Sequence, residues 1–265
     1  MVWLCFLMGG GPCWISATGP KPPLTGDRAF FWRKDDQHAA GVYKAELLPD
    51  DYPSGMTGIC DRDNPQNPLC DWSVVFILYC TVDVHSGSNT ARYTFPESGE
   101  PFTIEHRCWD NLQAILPWIR DNVPKPGHLH VSGSSTGASG AATHCAALRA
   151  LSPIARAVFL GDHGQGVTTP EFERVRNQNG RYQLPVSVFG PDANGTPDTK
   201  VVAKLAAHFP SDRFAQFTTM HDATQTAFDA QTLSSPACLT WTTKMLSELT
   251  TRQAAPNFRS SVAAG

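Results

Sequence analysis

The chain has 265 residues, 41% of them apolar and 17% charged, with a net charge of −3. That apolar share excludes intrinsic disorder, and the small net charge without a Lys/Arg block argues against a nucleic-acid or anionic-membrane surface. The longest apolar runs, Val2–Met8 and Val74–Cys80, hold seven residues each, whereas a membrane span needs about 20.

In chain order, Val2–Met8 reads as a buried strand rather than a signal peptide, because the first basic residue is Lys21. A core strand that starts at residue 2 suggests further chain upstream. Residues 9–70 are loop-rich and punctuated by proline. Ser73–Tyr79 is a continuous apolar run, suited to a strand buried on both faces of a parallel sheet. Residues 106–122 predict a helix, with Leu112, Ile115, Leu116 and Ile119 on one face and Pro117 as a kink. His128–Ser132 predicts a strand and Gly137–Ala150 an Ala-rich helix. Arg156–Leu160 and Val186–Phe189 predict strands, and Lys200–His208 a helix. Phe214–Thr218 predicts a further strand, and Cys238–Thr250 a helix. Strands alternating with helices predict one α/β domain over 1–265, with a mostly parallel sheet, helices on both faces and loop-rich insertions.

Eight cysteines occur without a C-x-x-C pair, so neither a zinc ribbon nor a thioredoxin-type site is predicted. Cys60 and Cys70 flank a turn-rich stretch. A disulfide closing that loop and two unrelated buried thiols both fit.

The chemistry concentrates in Gly133-Ser134-Ser135-Thr136-Gly137, which fits G-x-S-x-G between a predicted strand and a predicted helix. Such a nucleophile elbow lifts the central serine, Ser135, out of the sheet edge, and the helix start faces its N–H groups toward developing negative charge. The bland reading is a flexible Gly/Ser turn or a phosphate loop. An acyl-transfer serine also needs an oxyanion hole. The run Gly9-Gly10-Gly11 after the first strand and the N–H of Thr136 are the candidate donors, with a plain strand-to-loop turn as the alternative for the run. The triad order on such a sheet is serine, acid, histidine. Asp222 follows the strand Phe214–Thr218 and is the best-placed acid, with helix capping as its alternative. No histidine follows Asp222.

Together these residues resemble the pectin acetylesterase and Notum family of serine esterases. Gly9-Gly10-Gly11-Pro12-Cys13-Trp14 is similar to the family's Gly-Gly-Gly-x-Cys-Trp. The block from Asp71 to Gly87 is similar to Val-Phe-Ile-Pro-Tyr-Cys-Thr-Gly-Asp-Val-His. Asn111 and Ala114 match an Asn-x-x-Ala, and Val131–Gly140 matches the serine block. Leu160-Gly161-Asp162-His163-Gly164 resembles a Gly-Asp-Ser-Gly. Asp222-Ala223-Thr224-Gln225 matches the Asp-x-x-Gln of the triad acid.

The resemblance implies an α/β-hydrolase-like fold that cleaves carboxylic esters, often acetyl groups on pectin, with no metal or organic cofactor. By position it implies Ser135 as nucleophile, Asp222 as acid, and Gly10, Gly11 and Thr136 around the oxyanion. It implies a Cys13–Cys80 disulfide and a secreted or periplasmic location. The expected partner is an ester substrate such as an acetylated polysaccharide. Thr136, Val82, Leu78 and His163 stand where the family has Ala, Gly, Pro and Ser. The family's triad histidine is expected beyond Gly265, so the chain reads as incomplete at both ends and impaired as it stands. The alternative is a non-catalytic relative that binds a carbohydrate or acyl chain. His85 and His163 read as hydrogen-bonded or pocket-wall histidines rather than metal ligands, with His163 close enough in principle to reach Ser135. Asp83 and Asp162 read as carboxylates bonding loop N–H groups.

Overall fold

The structure, a computed structural model, describes residues 2–8, 58–79, 81–94, 99–231 and 238–264. The glycine run, Cys13 and Cys80 lie outside them.

Six strands form one parallel sheet in the order β2-β1-β5-β6-β7-β8. They are β1 (Val2–Leu7), β2 (Ser73–Ile77), β5 (His128–Ser134), β6 (Arg156–Asp162), β7 (Arg213–Thr219) and β8 (Phe258–Ala263). A separate antiparallel hairpin pairs β3 (Asn89–Thr94) with β4 (Pro101–His106). The helices are α1 (Cys108–Asn122), α2 (Thr136–Ala150), α3 (Pro170–Gly180), α4 (Val186–Phe189), α5 (Asp198–His208), α6 (Ala223–Gln231) and α7 (Cys238–Arg252). The expected mostly parallel α/β sheet is therefore present.

Alternation along β1 explains how the core divides. Trp3, Cys5 and Leu7 enter the main core with Leu129, Val131, Phe159, Phe214, Phe258 and the inner faces of α1, α2, α5 and α7. Leu4 and Phe6 point the other way, onto Cys60 and Leu69. Successive side chains of a strand leave on opposite faces, so one short apolar strand seeds two clusters. Each large apolar side chain removed from water contributes roughly 1.5–3 kcal/mol.

Several expectations are corrected. β2 lies at the edge of the sheet among the described residues, with only Ile77 of its five residues buried. An apolar run does not reveal whether a strand is central or peripheral. Val186–Phe189 forms one helical turn rather than a strand, because Pro185 precedes it and its carbonyl accepts the Val188 and Phe189 N–H groups. Helix α1 holds Pro117 within its span as expected, but Ile115 of its predicted apolar face stays exposed. Cys60 and Cys70 carry separate thiols. Their loop is closed instead by Asn67, whose Nδ2 donates to the carbonyls of Ile59 (3.1 Å) and Asp61 (2.7 Å).

The chain leaves β1 for β2 on one side and returns to β5 on the other. That reversal makes the carboxyl ends of β1 and β5 a topological switch point, the usual position of a site on an open parallel sheet.

Candidate active site

Ser135 stands at this reversal, between β5 and α2. Its backbone is at φ 58°, ψ −125°. A non-glycine residue held there carries strain of about 1–3 kcal/mol, which the surroundings must enforce. They do so at four points. The Ser135 N–H donates to the Asp162 carbonyl at 2.7 Å, and the Ser135 carbonyl accepts the Ala138 N–H at 2.9 Å. Gly133 is opposite Leu7 in the sheet, and a Cβ on it would lie 2.2 Å from the Gly137 carbonyl oxygen. A Cβ on Gly137 would lie 2.1 Å from the Leu7 carbonyl oxygen. Both glycines of G-x-S-x-G are thus required by close backbone packing, in addition to the turn itself. Thr136 opens α2.

The neighbouring strand brings a second pair. β6 ends at Asp162, which lies opposite Ser134. His163 follows in left-handed backbone, φ 52°. This turn brings together two adjacent side chains that an extended strand would send apart. The His163 Nδ1–H donates to the Asp162 carboxylate. The His163 N–H donates to the Phe217 carbonyl at 2.9 Å, and its ring stands edge-on to that of Phe217. About 30% of the His163 side chain is exposed. Gly164 then passes Ser135 so closely that a Cβ on it would lie 2.6 Å from the Ser135 carbonyl oxygen.

Asp222 follows β7 and is 8% exposed. It caps α6: Oδ1 accepts the Gln225 N–H at 2.8 Å, and Oδ2 accepts from Gln225 Nε2 at 2.9 Å. Gln225 Nε2 also donates to Gln165 Oε1 at 3.0 Å. The capping alternative is therefore realised, and the same cap joins Asp222 to the loop that carries His163. That loop is anchored from below by Arg252, whose guanidinium reaches the Gln165 carbonyl at 2.8 Å and the Thr199 carbonyl at 2.8 Å. Burial lowers the Arg252 pKa to about 10.

The block from Thr81 to Ser86 forms a strained buttress beside the site. Val82, Val84 and His85 all have positive φ. The fully buried Asp83 carboxylate accepts from Thr81 Oγ1 (2.8 Å) and from the Cys108 N–H at the start of α1 (2.9 Å). Asp83 is thus a buried acceptor as expected, but its donors are a hydroxyl and a helix-start N–H rather than loop N–H groups. His85 is buried, and its Nε2–H donates to the Met8 carbonyl at 2.8 Å. The His144 Nε2–H donates in turn to the His85 carbonyl. Burial pushes the His85 and His144 pKa values down, that of His144 to about 3. His85 is thus a hydrogen-bonded interior histidine, as expected. The proposed oxyanion residues Gly10 and Gly11 and the Cys13–Cys80 pair fall outside the described residues.

Three features of this edge were missed in the sequence. The Asp162–His163 contact depends on a left-handed residue that no pattern announces. Gln165 and Arg252 carry no motif. The Asp-x-x-Gln spacing at Asp222 is itself a capping signature, and it signals the Gln225 contact.

The family model described as Pectinacetylesterase matches residues 2–240. Two crystal structures titled as the Wnt deacylase Notum from Drosophila, in crystal forms I and II, align with TM-score 0.56 and 16% identity. Each alignment covers 99% of this chain and 76% of the Notum chain. No curated protein gives a significant match.

Proposed function

Since the chain belongs to the pectinacetylesterase family, we propose that this esterase-family protein is a serine carboxylic-ester hydrolase that removes acetyl groups from a polysaccharide such as pectin. One observation carries the reading: Ser135 is held at φ 58°, ψ −125° between a strand and a helix, by glycines that tolerate no side chain. Natural proteins retain such strain chiefly where it serves a function. A partly exposed serine at a helix start, at the carboxyl end of a parallel strand, suits attack on an acyl carbon.

In this reading Ser135 Oγ attacks the ester carbonyl carbon and gives its proton to an imidazole. The N–H groups of Thr136, Gly10 and Gly11 donate to the developing oxyanion. The alcohol leaves with the proton, and water resolves the acyl-enzyme. Asp222 supplies the carboxylate that steadies the imidazolium. A secreted or periplasmic setting fits a polysaccharide substrate. The rival reading is a non-catalytic relative that binds a carbohydrate or acyl chain, and the engagement of both Asp222 oxygens by Gln225 favours it. Hydrolysis of p-nitrophenyl acetate by the parent chain and by Ser135→Ala decides between them. A rate lost in Ser135→Ala supports the esterase. Equal rates in the two proteins reject Ser135 as nucleophile.

A further inference from the structure

We propose that Gln165 is a positioning residue for the esterase reaction, holding the Asp222 carboxylate through Gln225 at a fixed place relative to Ser135. The inference rests on the reading of Ser135 as nucleophile and Asp222 as its acid, and it names the side chain that ties the two together.

Ser135 follows β5 and Asp222 follows β7, and the loop after β6 lies between them. On one side that loop is pinned to Ser135. The Asp162 carbonyl accepts the Ser135 N–H at 2.7 Å, and Gly164 has room only for a hydrogen beside the Ser135 carbonyl. On the other side the loop reaches Asp222. Gln165 Oε1 accepts from Gln225 Nε2 at 3.0 Å, and the same Gln225 Nε2 donates to Asp222 Oδ2 at 2.9 Å. Gln165 is the residue at which the two connections meet.

The loop is fastened underneath as well. Gln165 Nε2 donates to the Phe217 carbonyl at 2.8 Å, and the Gln165 carbonyl accepts from Arg252. Gln216 Nε2 donates to the Gly164 carbonyl at 3.1 Å, and Gln216 Oε1 accepts from the Arg252 guanidinium. Gln165, Gln216 and Arg252 are all buried. A polar contact left unmade there is costly, so the network holds one arrangement. The bonding at Asp222 leaves the carboxylate able to act. Gln225 takes one acceptor site on each oxygen, out of about four in all, and the rest serve an imidazole. Placement of such a group controls rate, since an error of about 1 Å can cost roughly 10²-fold.

The test is p-nitrophenyl acetate hydrolysis by the parent chain, Gln165→Met, Asp222→Asn, the double variant of these two, and Ser135→Ala, with a thermal unfolding midpoint for each. Methionine matches glutamine in length but offers Gln225 only a weak acceptor, and the backbone bonds of the loop stay in place. Gln165→Met should lower kcat about 10- to 10²-fold with KM unchanged. Added to Asp222→Asn it should cost nothing further, because the charge that it positions is already gone. A residue that merely braces the loop would slow both backgrounds by the same factor. That result overturns the proposal, as does a parent-level kcat in Gln165→Met. Gln225→Leu cuts the same bridge from its other end and takes the place of Gln165→Met if that protein unfolds early. It should lower kcat in the same way and add nothing to Asp222→Asn. A parent chain no faster than Ser135→Ala shows instead that the nucleophile reading has failed, and full activity in Asp222→Asn shows that the acid reading has failed. The inference falls with either.

Discussion

The carbonyl oxygen of Leu7 occupies the space where a Gly137 side chain would be, 2.1 Å from the ideal Cβ position. β1 and α2 meet there backbone to backbone, and that contact sets how close the end of β1 comes to Ser135. Gly137→Ala should therefore destabilise the fold by about 3 kcal/mol, the upper range for overpacking a tight interior. Gly161→Ala is the control. Its Cβ would meet a Phe159 ring carbon at 3.3 Å, which a side chain can yield. Thermal unfolding should show a clear drop for the first variant and a small shift for the second. Similar midpoints for the two would contradict the packing account.

Asp222 has a capping role that is visible and a catalytic role that is proposed. Asparagine separates them, because it caps helices about as well as aspartate but carries no charge. Asp222→Asn should keep the unfolding midpoint near the parent value while acetyl-ester hydrolysis falls by a factor on the order of 10² to 10⁴. Asp222→Ala should lose activity and also about 1 kcal/mol of stability. Full activity in Asp222→Asn would assign this residue to capping alone.

Thiol chemistry should sort by burial. Burial pushes the Cys5 and Cys145 thiols up to about 12 and Cys60 up to about 11, so little reactive thiolate exists at these positions at pH 8. Cys70 is partly exposed. Brief alkylation of the native protein followed by peptide mass mapping should mark Cys70 and spare the other three, which react after unfolding. Recovery of a Cys60–Cys70 crosslinked peptide would contradict the separate thiols.

Buried histidines should make the fold acid-sensitive. Burial lowers the His130 pKa to about 4 and that of His144 to about 3, from an ordinary value of 6.5. The folded state then binds fewer protons than the unfolded state between the two values. Their neutral burial is fully tolerated above pH 6.5, and stability is lost as pH falls from there toward 4. His130→Gln should flatten the decline by up to about 3 kcal/mol over that range. Unfolding free energies measured from pH 7 to pH 4 would show it. A slope unchanged in His130→Gln would remove His130 as a cause.

The sequence made the sheet legible where strands are short and apolar and helices rich in alanine, as in β5, α2 and β6. It concealed elements whose pattern is polar. β8 buries only Phe258 fully and otherwise reads Arg-Ser-Ser-Val-Ala, as suits its edge position among the described residues. The β3 strand carried a period of two in Thr90-Ala91-Arg92-Tyr93-Thr94, with Ala91 and Tyr93 buried, and that signal was available. The elbow was legible because its chemistry and its geometry demand the same glycines. The Asp162–His163 contact was not, since it follows from one backbone angle rather than from residue spacing. The loop at Cys60 shows a related limit: two cysteines left a disulfide and two separate thiols both open, and an asparagine side chain closes the loop through hydrogen bonds.

The Thr81–Ser86 buttress also has a bearing on the order in which the molecule assembles. Two valines and a histidine with positive φ would not hold that shape alone, and the groups that hold it come from far along the chain. The Cys108 N–H meets Asp83, His144 meets the His85 carbonyl, and the Gln183 N–H meets the Ser86 carbonyl. On a ribosome, residue 86 therefore waits for nearly a hundred more residues before its last partner exists. The sheet and α2 must already be in place when this segment locks. It should be among the last parts to close during folding and among the first to open, so the surroundings of Ser135 are completed only in a nearly finished molecule.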